Sequence, residues 1–247
     1  MQITGNTILI TGGGSGIGRS LAEALQAKGN KIIITGRDAS KLDAMAKANP
    51  GIEARQLDVD DPAAIKSFAK LVTAEFPALN VLINNAGIMR AENLISGETE
   101  TAEATISTNL LGPIRLTAAL LPHLLEQPNA AVLTVSSGLA FVPRALAPTY
   151  CATKAAIHSY SQTLRVQLRG TSVQVIELVP PYVQTELLNP AQATDPNAMP
   201  LADYISETME LLEKHPDAEE ILVERVFFQR WAERENRYAA AFARVNG

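Results

Sequence analysis

Thr7-Ile-Leu-Ile-Thr11-Gly12-Gly-Gly-Ser-Gly16-Ile-Gly18-Arg-Ser-Leu21-Ala-Glu-Ala-Leu25-Gln-Ala-Lys-Gly29 is the stretch from which the fold can be read. Ile8, Leu9 and Ile10 form an uninterrupted apolar run, as in a strand buried on both faces. Past the glycines, Ile17, Leu21, Ala24 and Leu25 recur at helical spacing until Gly29-Asn30 supplies a stop. The order is therefore strand, glycine turn, helix. Gly12, Gly16 and Gly18 sit where the chain must turn tightly and let a ligand approach its backbone without Cβ interference. The first free amides of the helix point at the same place, so the turn suits a pyrophosphate, drawn by unpaired N–H groups and the positive end of the helix dipole. Its spacing, Gly-x-x-x-Gly-x-Gly, departs from the Gly-x-Gly-x-x-Gly of the common dinucleotide fingerprint.

Strand-like and helix-like segments continue to alternate. Lys31–Thr35, Ile52–Leu57, Val81–Ile83, Ala131–Val135 and Val173–Leu178 read as strands two to six. Helices are expected at about 38–48, capped by Asp38 or Ser40, and at 61–76, with Pro62 in its first turn. Two more are expected at about 100–126, with a break near Gly112-Pro113, and at about 148–169. Such alternation implies right-handed crossovers and an α/β fold, a doubly wound parallel sheet flanked by helices in three layers, with ligands outside the carboxyl ends of the strands. No linker divides residues 1–247, so one domain is expected. Residues 182–200 carry Pro190, Pro196 and Pro200 in an irregular connection, and with the helix that follows at 201–214 they read as a substrate loop or lid at about 182–215. Glu220–Val223 reads as a short strand. A last helix at about 225–244 would align Phe227, Trp231, Tyr238 and Phe242 in one stripe, either packed on its own domain or offered to another subunit.

The composition, 21 basic against 26 acidic side chains among 247 residues and a net charge of −5, argues against non-specific nucleic-acid binding. The first residues lack the pattern of a secretory signal and no run reaches the ~18 apolar residues of a membrane span, so a cytoplasmic protein without membrane attachment is expected. Cys151 is the only cysteine, and His123, His158 and His215 are scattered without ligand spacing; neither a disulfide framework nor a metal site is expected.

Tyr150-Cys-Ala-Thr-Lys154 places a phenol and an ammonium one turn apart on a helical face. Ser136-Ser137 closes the fifth strand and Asn84-Asn85-Ala86-Gly87 closes the fourth, both at the sheet edge that carries the glycine turn. Asn109 lies on the helix that follows. Taken together, Thr11-Gly12-x-x-x-Gly16-x-Gly18, Asn84-Asn85-Ala86-Gly87, Asn109, Ser137 and Tyr150-x-x-x-Lys154 resemble, in order and spacing, the classical short-chain dehydrogenase/reductase family, over about residues 5–187. Within it the chain looks most like the DltE-like bacterial oxidoreductases, chiefly in Val179-Pro180-Pro181 and its end.

The resemblance implies a Rossmann-type fold, hydride transfer between a nicotinamide and a carbonyl or secondary alcohol, and a catalytic tetrad. Tyr150 would be the general acid or base, and Lys154 would lower the phenol's pKa, ordinarily ~10, and hold the nicotinamide ribose. Ser137 would donate a hydrogen bond to the substrate oxygen. Asn109 would hold a water linking Lys154 to solvent. The cofactor would be held by Gly12, Gly14, Ser15, Gly16, Ile17 and Gly18, by Asn85, Ala86 and Gly87, and by Tyr150 and Lys154. Asp58 with Val59 would meet the adenine, and Pro180, Val183 and Thr185 the nicotinamide. Pro181 stands where the family usually has glycine; it fixes φ near about −65° and removes an amide, so the loop path there can differ. Leu139, Phe141, Tyr182 and Leu187 are expected to line the substrate pocket, with Arg90 and Arg144 as anion contacts.

At the end of the second strand, Thr35-Gly36-Arg37 lacks the acidic residue that binds the adenosine ribose 2′-OH in NAD-preferring folds. Gly36 removes a carboxylate that would repel a 2′-phosphate and Arg37 could grip one, which favours NADP(H) over NAD(H); otherwise Arg37 is a solvated side chain. A homodimer or homotetramer is implied, through the helices at 100–126 and 148–169. Two other readings compete. A non-catalytic NAD(P)-binding sensor or scaffold would not need the whole tetrad, and a sugar-nucleotide epimerase or dehydratase normally has a different glycine spacing and a larger C-terminal domain.

Overall fold

The computed structural model describes residues 1–247. Seven parallel strands form one sheet in the order β3-β2-β1-β4-β5-β6-β7: β1 Thr7–Thr11, β2 Lys31–Gly36, β3 Glu53–Gln56, β4 Leu79–Asn84, β5 Ala130–Val135, β6 Val173–Val179 and β7 Glu220–Leu222. Because side chains alternate along a strand, β1 feeds two cores. Ile8 and Ile10 pack with Leu21 and Leu25 of α1 (Gly16–Ala27), Leu42 and Met45 of α2 (Ala39–Ala48) and Met209 and Leu212. Leu9 points to the other face, where Phe68 and Val72 of α3 (Pro62–Glu75) meet Leu116, Leu120 and Leu164. Burial on both faces is why residues 8–10 of β1, 81–83 of β4 and 130–133 of β5 are continuous apolar runs.

The strand order reverses between β1 and β4, and the crevice this opens at their carboxyl ends holds the glycine turn. The starts of α2 and α3 are closed locally: the Asp38 carboxylate accepts from the Lys41 amide at 3.1 Å, and Asp61 accepts from Ala63 and Ala64 at 2.8 and 3.1 Å. Ser15, at the same position before α1, makes no capping hydrogen bond and leaves those amides to the crevice.

Two expected helices differ. The 100–126 segment is α4 (Glu100–Ile106), a wide π turn (Ser107–Leu111) and α5 (Gly112–Leu125). Pro113 has no amide to return to the Asn109 carbonyl one turn back, so the ladder loosens where Asn109 sits. Gly112 is held against β3's exit, since a Cβ there would lie 3.1 Å from the Val59 carbonyl oxygen. α6 runs Pro148–Gln167 and α7 Leu201–Lys214, as the periodicity predicts.

The C-terminal helix expected at 225–244 is instead a short turn, Glu224–Val226, then α8 (Phe227–Arg230) and α9 (Tyr238–Asn246). Asn236 adopts φ 54°, and the Arg237 amide reaches back to the Ala232 carbonyl at 2.9 Å, which closes the turn between α8 and α9. The single aromatic stripe is thereby divided: the Trp231 ring meets the Arg230 and Arg234 guanidiniums, while Tyr238 stacks on Phe242 at 6.0 Å. Ala232 and Ala241, with Phe228 and Tyr238, pack on Val142 of the same domain. The 182–200 connection is fastened on itself: Val183 bridges Met199, and the buried Gln192 amide donates to the Val183 carbonyl at 2.8 Å and the Thr185 hydroxyl at 3.1 Å. No helix is long and apolar enough to cross a membrane.

Candidate active site

A cleft of about 1590 Å³ runs along the carboxyl edge of the sheet. Its floor at one end is the glycine turn, with Gly12, Gly14, Ser15, Gly16 and Ile17 in the wall and Asn85, Ala86 and Gly87 facing them from the end of β4. The two segments are tied together. Thr11 Oγ1 accepts from the amides of Asn85 and Ala86, each at 3.0 Å, and Asn85 Nδ2 donates to the Thr11 carbonyl at 2.9 Å. Gly12 (φ 67°) and Gly16 (φ 53°) occupy backbone that side chains disfavour. Gly18 stands behind the turn, where a Cβ would come within 2.3 Å of Asn85 Nδ2. Uncapped amides and a cradle that a Cβ would fill are what a dinucleotide pyrophosphate needs, so these residues fit such a cofactor. Pro180, Val183 and Thr185 line the wall beyond β6, with Pro181 and Gln184 between them.

Arg37, Asp58 and Val59 lie outside this wall. Arg37 is paired with Asp60 at 3.3 Å, and Asp60 also accepts from the Thr108 hydroxyl at 2.8 Å. Asp58 is exposed, and its carboxylate accepts from the Asp60 amide at 3.0 Å. Val59 is buried against Gly112. Lys41, which the sequence reading did not single out, does line the cleft; it lies in the first turn of α2 beside Gly14 and forms no ion pair.

Ser137, Tyr150 and Lys154 meet at the centre of the cleft. Ser137 lies two residues past the end of β5 and caps a short turn (Gly138–Ala140): its oxygen accepts from the Leu139 amide at 3.1 Å, which leaves the hydroxyl proton to donate elsewhere. Tyr150 and Lys154 share one face of α6, the Lys154 nitrogen 5.5 Å from the phenol ring centre. Met89, Ala147 and Cys151 pack on Tyr150, with Leu139 and Leu188 beyond. This burial raises the phenol's pKa above its ordinary value, while the Ser137 hydroxyl works in the opposite sense. The phenol is thus held as a proton donor, and its burial outweighs the lowering expected from Lys154.

The Lys154 ammonium, also buried, is brought down to about 8 by desolvation, against an opposing pull from the Glu177 carboxylate. It donates to the Val135 carbonyl at 2.7 Å. Asn109 is 1% exposed and outside the cleft wall. Its amide group grips both ends of Ile88, Nδ2 donating to the carbonyl and Oδ1 accepting from the amide, each at 2.8 Å. It positions the Gly87-Ile88 segment, and that is the role its contacts show.

The other end of the cleft is lined by Leu139, Tyr182 and Leu187, with Arg144. Phe141 is not there: its ring lies edge-on to His158 at 4.8 Å, beneath the Arg230 guanidinium at 4.6 Å, because cation–π contact with the C-terminal segment draws it away. Arg90 is exposed and outside the wall. Met89 and Leu188 complete the apolar surroundings of the phenol; Met89's place two residues after Gly87 was the available signal. Gln229 reaches the wall from α8, which no sequence motif marks. Behind α6, ligand atoms of His158, Glu177 and Glu220 lie within 4.8 Å of one another. The Arg230 guanidinium already serves Glu220 there, at 2.7 and 2.9 Å.

The family described as short chain dehydrogenase matches residues 6–196. The uncharacterized oxidoreductase DltE of Bacillus subtilis (strain 168) is 47% identical over 189 residues, which span 76% of this chain and 75% of that one. A short-chain dehydrogenase from Streptomyces avermitilis superposes with a TM-score of 0.83 at 27% identity, covering 96% of each chain. A short-chain dehydrogenase from Sphingobium yanoikuyae in complex with NADPH gives a TM-score of 0.80 at 25% identity, covering 98% of this chain and 96% of that one.

Proposed function

The chain belongs to the short-chain dehydrogenase family, and from that premise we propose that it is an NADP(H)-dependent reductase of a small carbonyl compound in which Tyr150 delivers the proton. The observation that carries this reading is the buried pair on α6, a phenol held protonated one turn from an ammonium, with the Ser137 hydroxyl beside them. The bound nicotinamide supplies or accepts the hydride. Tyr150 protonates the carbonyl oxygen, Ser137 orients that oxygen, and the Lys154 charge stabilises the phenolate left behind. Met89, Leu139 and Leu188 keep water from the phenol.

Burial brings Lys154 to about 8, so the ammonium is intact below that pH and is lost above it. The rate of carbonyl reduction, as kcat/KM against pH, is therefore expected to be level up to about 8 and to fall above it. Lys154→Met should give a low profile without that limb; a wild-type profile still level at pH ~10, near the ordinary lysine value, overturns the assignment.

For the cofactor, Gly36 leaves no carboxylate at the end of β2, and Arg37 and Lys41 flank that position with one exposed and one unpaired cation. A 2′-phosphate would replace the Asp60 carboxylate on the Arg37 guanidinium and draw in the Lys41 ammonium. The NADPH-bound structure of the Sphingobium relative supports this choice. Arg37→Ala with Lys41→Ala is expected to raise the KM for NADPH about a hundredfold and that for NADH by less than about threefold, two lost charge-assisted contacts at ~1.5–3 kcal/mol each being ample. Equal losses for both cofactors would leave the preference unexplained by these residues.

A further inference from the structure

Arg144 is a half-buried cation with no ion pair within 4 Å, the Asp195 carboxylate acting on it only from farther off. Each of the other arginines in the cleft wall has a partner: Arg19 the Glu23 carboxylate, Arg225 the Asn197 carbonyl, Arg244 the Phe228 ring. The Arg144 guanidinium has no ion pair, hydrogen bond or aromatic face, and it lines the same cleft wall as Tyr150. Its backbone is nonetheless fixed. The Arg144 amide donates to Cys151 Sγ at 3.3 Å, directly beside the phenol in sequence, and its carbonyl accepts from the Ala147 amide at 3.1 Å. On either side Asn246 clamps the chain, donating to the Pro143 carbonyl at 3.0 Å and accepting from the Ala145 amide at 2.6 Å. A charge so placed is preorganised for something that enters the cleft.

Gln229 is the second such group. It is 6% exposed, its oxygen lies over Gly138 so closely that a Cβ there would come within 2.4 Å, and its amide has no hydrogen-bond partner although it borders the cleft. Its polar atoms are open to the cleft, where a bound polar group would pair with them.

On the reductase reading above, we propose that the substrate carries a carboxylate, an oxo acid reduced to a hydroxy acid, with Arg144 holding the carboxylate and Gln229 a polar atom next to the reacting carbon. A singly charged group is favoured over a phosphate because Asp195 also lines the cleft, kept ionised by the Asn197 amide at 2.8 Å, the Tyr182 hydroxyl at 3.0 Å and the more distant Arg144 charge. Asp195 already draws on part of the Arg144 charge, so a single negative charge can be balanced there and a second would go unbalanced. Met89, Leu139 and Leu188 suit the short carbon chain between carboxylate and carbonyl. In the reaction the C=O π bond breaks, hydride from the reduced nicotinamide joins carbon, the Tyr150 proton joins oxygen, and the carboxylate is unchanged.

The test compares short 2- and 3-hydroxy acids with their methyl esters, and the matching oxo acids with their esters, as kcat/KM in the wild type, Arg144→Met and Arg144→Lys, each first checked for NADPH binding. Wild type should prefer acid to ester by about a hundredfold, Arg144→Met should bring that ratio near one, mostly through KM, and Arg144→Lys should recover part of it. Titration calorimetry of the hydroxy acid onto the NADP⁺-loaded protein should show the same order in Kd. Esters turned over as well as acids by the wild type, or an acid-to-ester ratio untouched in Arg144→Met, overturns the proposal and leaves the reductase reading standing. Absence of turnover with every acid, ester and simple ketone, in a protein that binds NADPH, overturns the reductase reading and this one with it.

Discussion

Tyr150→Phe is expected to cost at least about a hundredfold in kcat, and up to ~10⁴, while leaving the fold and NADPH affinity as they are. The phenol is 6% exposed and packed by Met89, Ala147 and Cys151, so removing one oxygen opens no cavity that a core would notice. Nor does it strip the cofactor half of the cleft, where Gly12, Ser15 and Asn85 are untouched. What disappears is the proton that burial keeps on Tyr150 and that the reacting oxygen needs. The measurement is the decay of NADPH absorbance beside NADPH affinity by fluorescence. A phenylalanine variant retaining more than about a tenth of the wild-type rate would place the acid elsewhere, since general acids of this kind are worth ~10²–10⁴.

The glycine turn and the strands around it were legible because each is specified locally. A short apolar run with no polar alternation, bounded by turn residues, suits a strand covered twice, and residues 8–10, 81–83 and 130–133 are such runs. The same holds for Tyr150 and Lys154, whose helical spacing alone puts them on one face. What escaped the sequence depends on partners distant in the chain. Phe141 is drawn aside by Arg230 and His158, and Arg37 is occupied by Asp60. Asn109 turns its amide to Ile88 because a proline four residues on loosens the helix. Periodicity carries the Phe227–Phe242 stripe through Asn236, yet the left-handed turn there is set by the fit of α8 and α9 to Val142, a contact that no local pattern encodes. Gln229, on the same segment, was invisible for the same reason.

The knot between the glycine turn and β4 gives the second large effect. At Gly18 the backbone φ is ordinary, so strain is not the issue; space is. A Cβ would lie 2.3 Å from Asn85 Nδ2 and 2.4 Å from the Gly12 carbonyl oxygen, and one of these is backbone. The Asn85 amide group it would strike is the one that donates to the Thr11 and Gly12 carbonyls at 2.9 and 3.3 Å. Gly18→Ala must therefore either push α1 away from the turn or break that tie, and both open the cradle that would receive the pyrophosphate. Overpacking of this kind costs ~1–3 kcal/mol, which in a chain of this size lowers Tm by about 2–10 °C. NADPH affinity should fall more than about tenfold as the amides of α1 lose their alignment. Gly36→Ala is the control for stability, its Cβ meeting only Leu42 Cδ2 at 3.8 Å, and its Tm should stay within about 2 °C of wild type. Calorimetry of all three proteins with and without NADPH separates the outcomes. A Gly18→Ala protein with wild-type Tm and wild-type affinity would show that the turn keeps its shape without the Asn85 tie, and that the helix amides alone suffice to hold the cofactor.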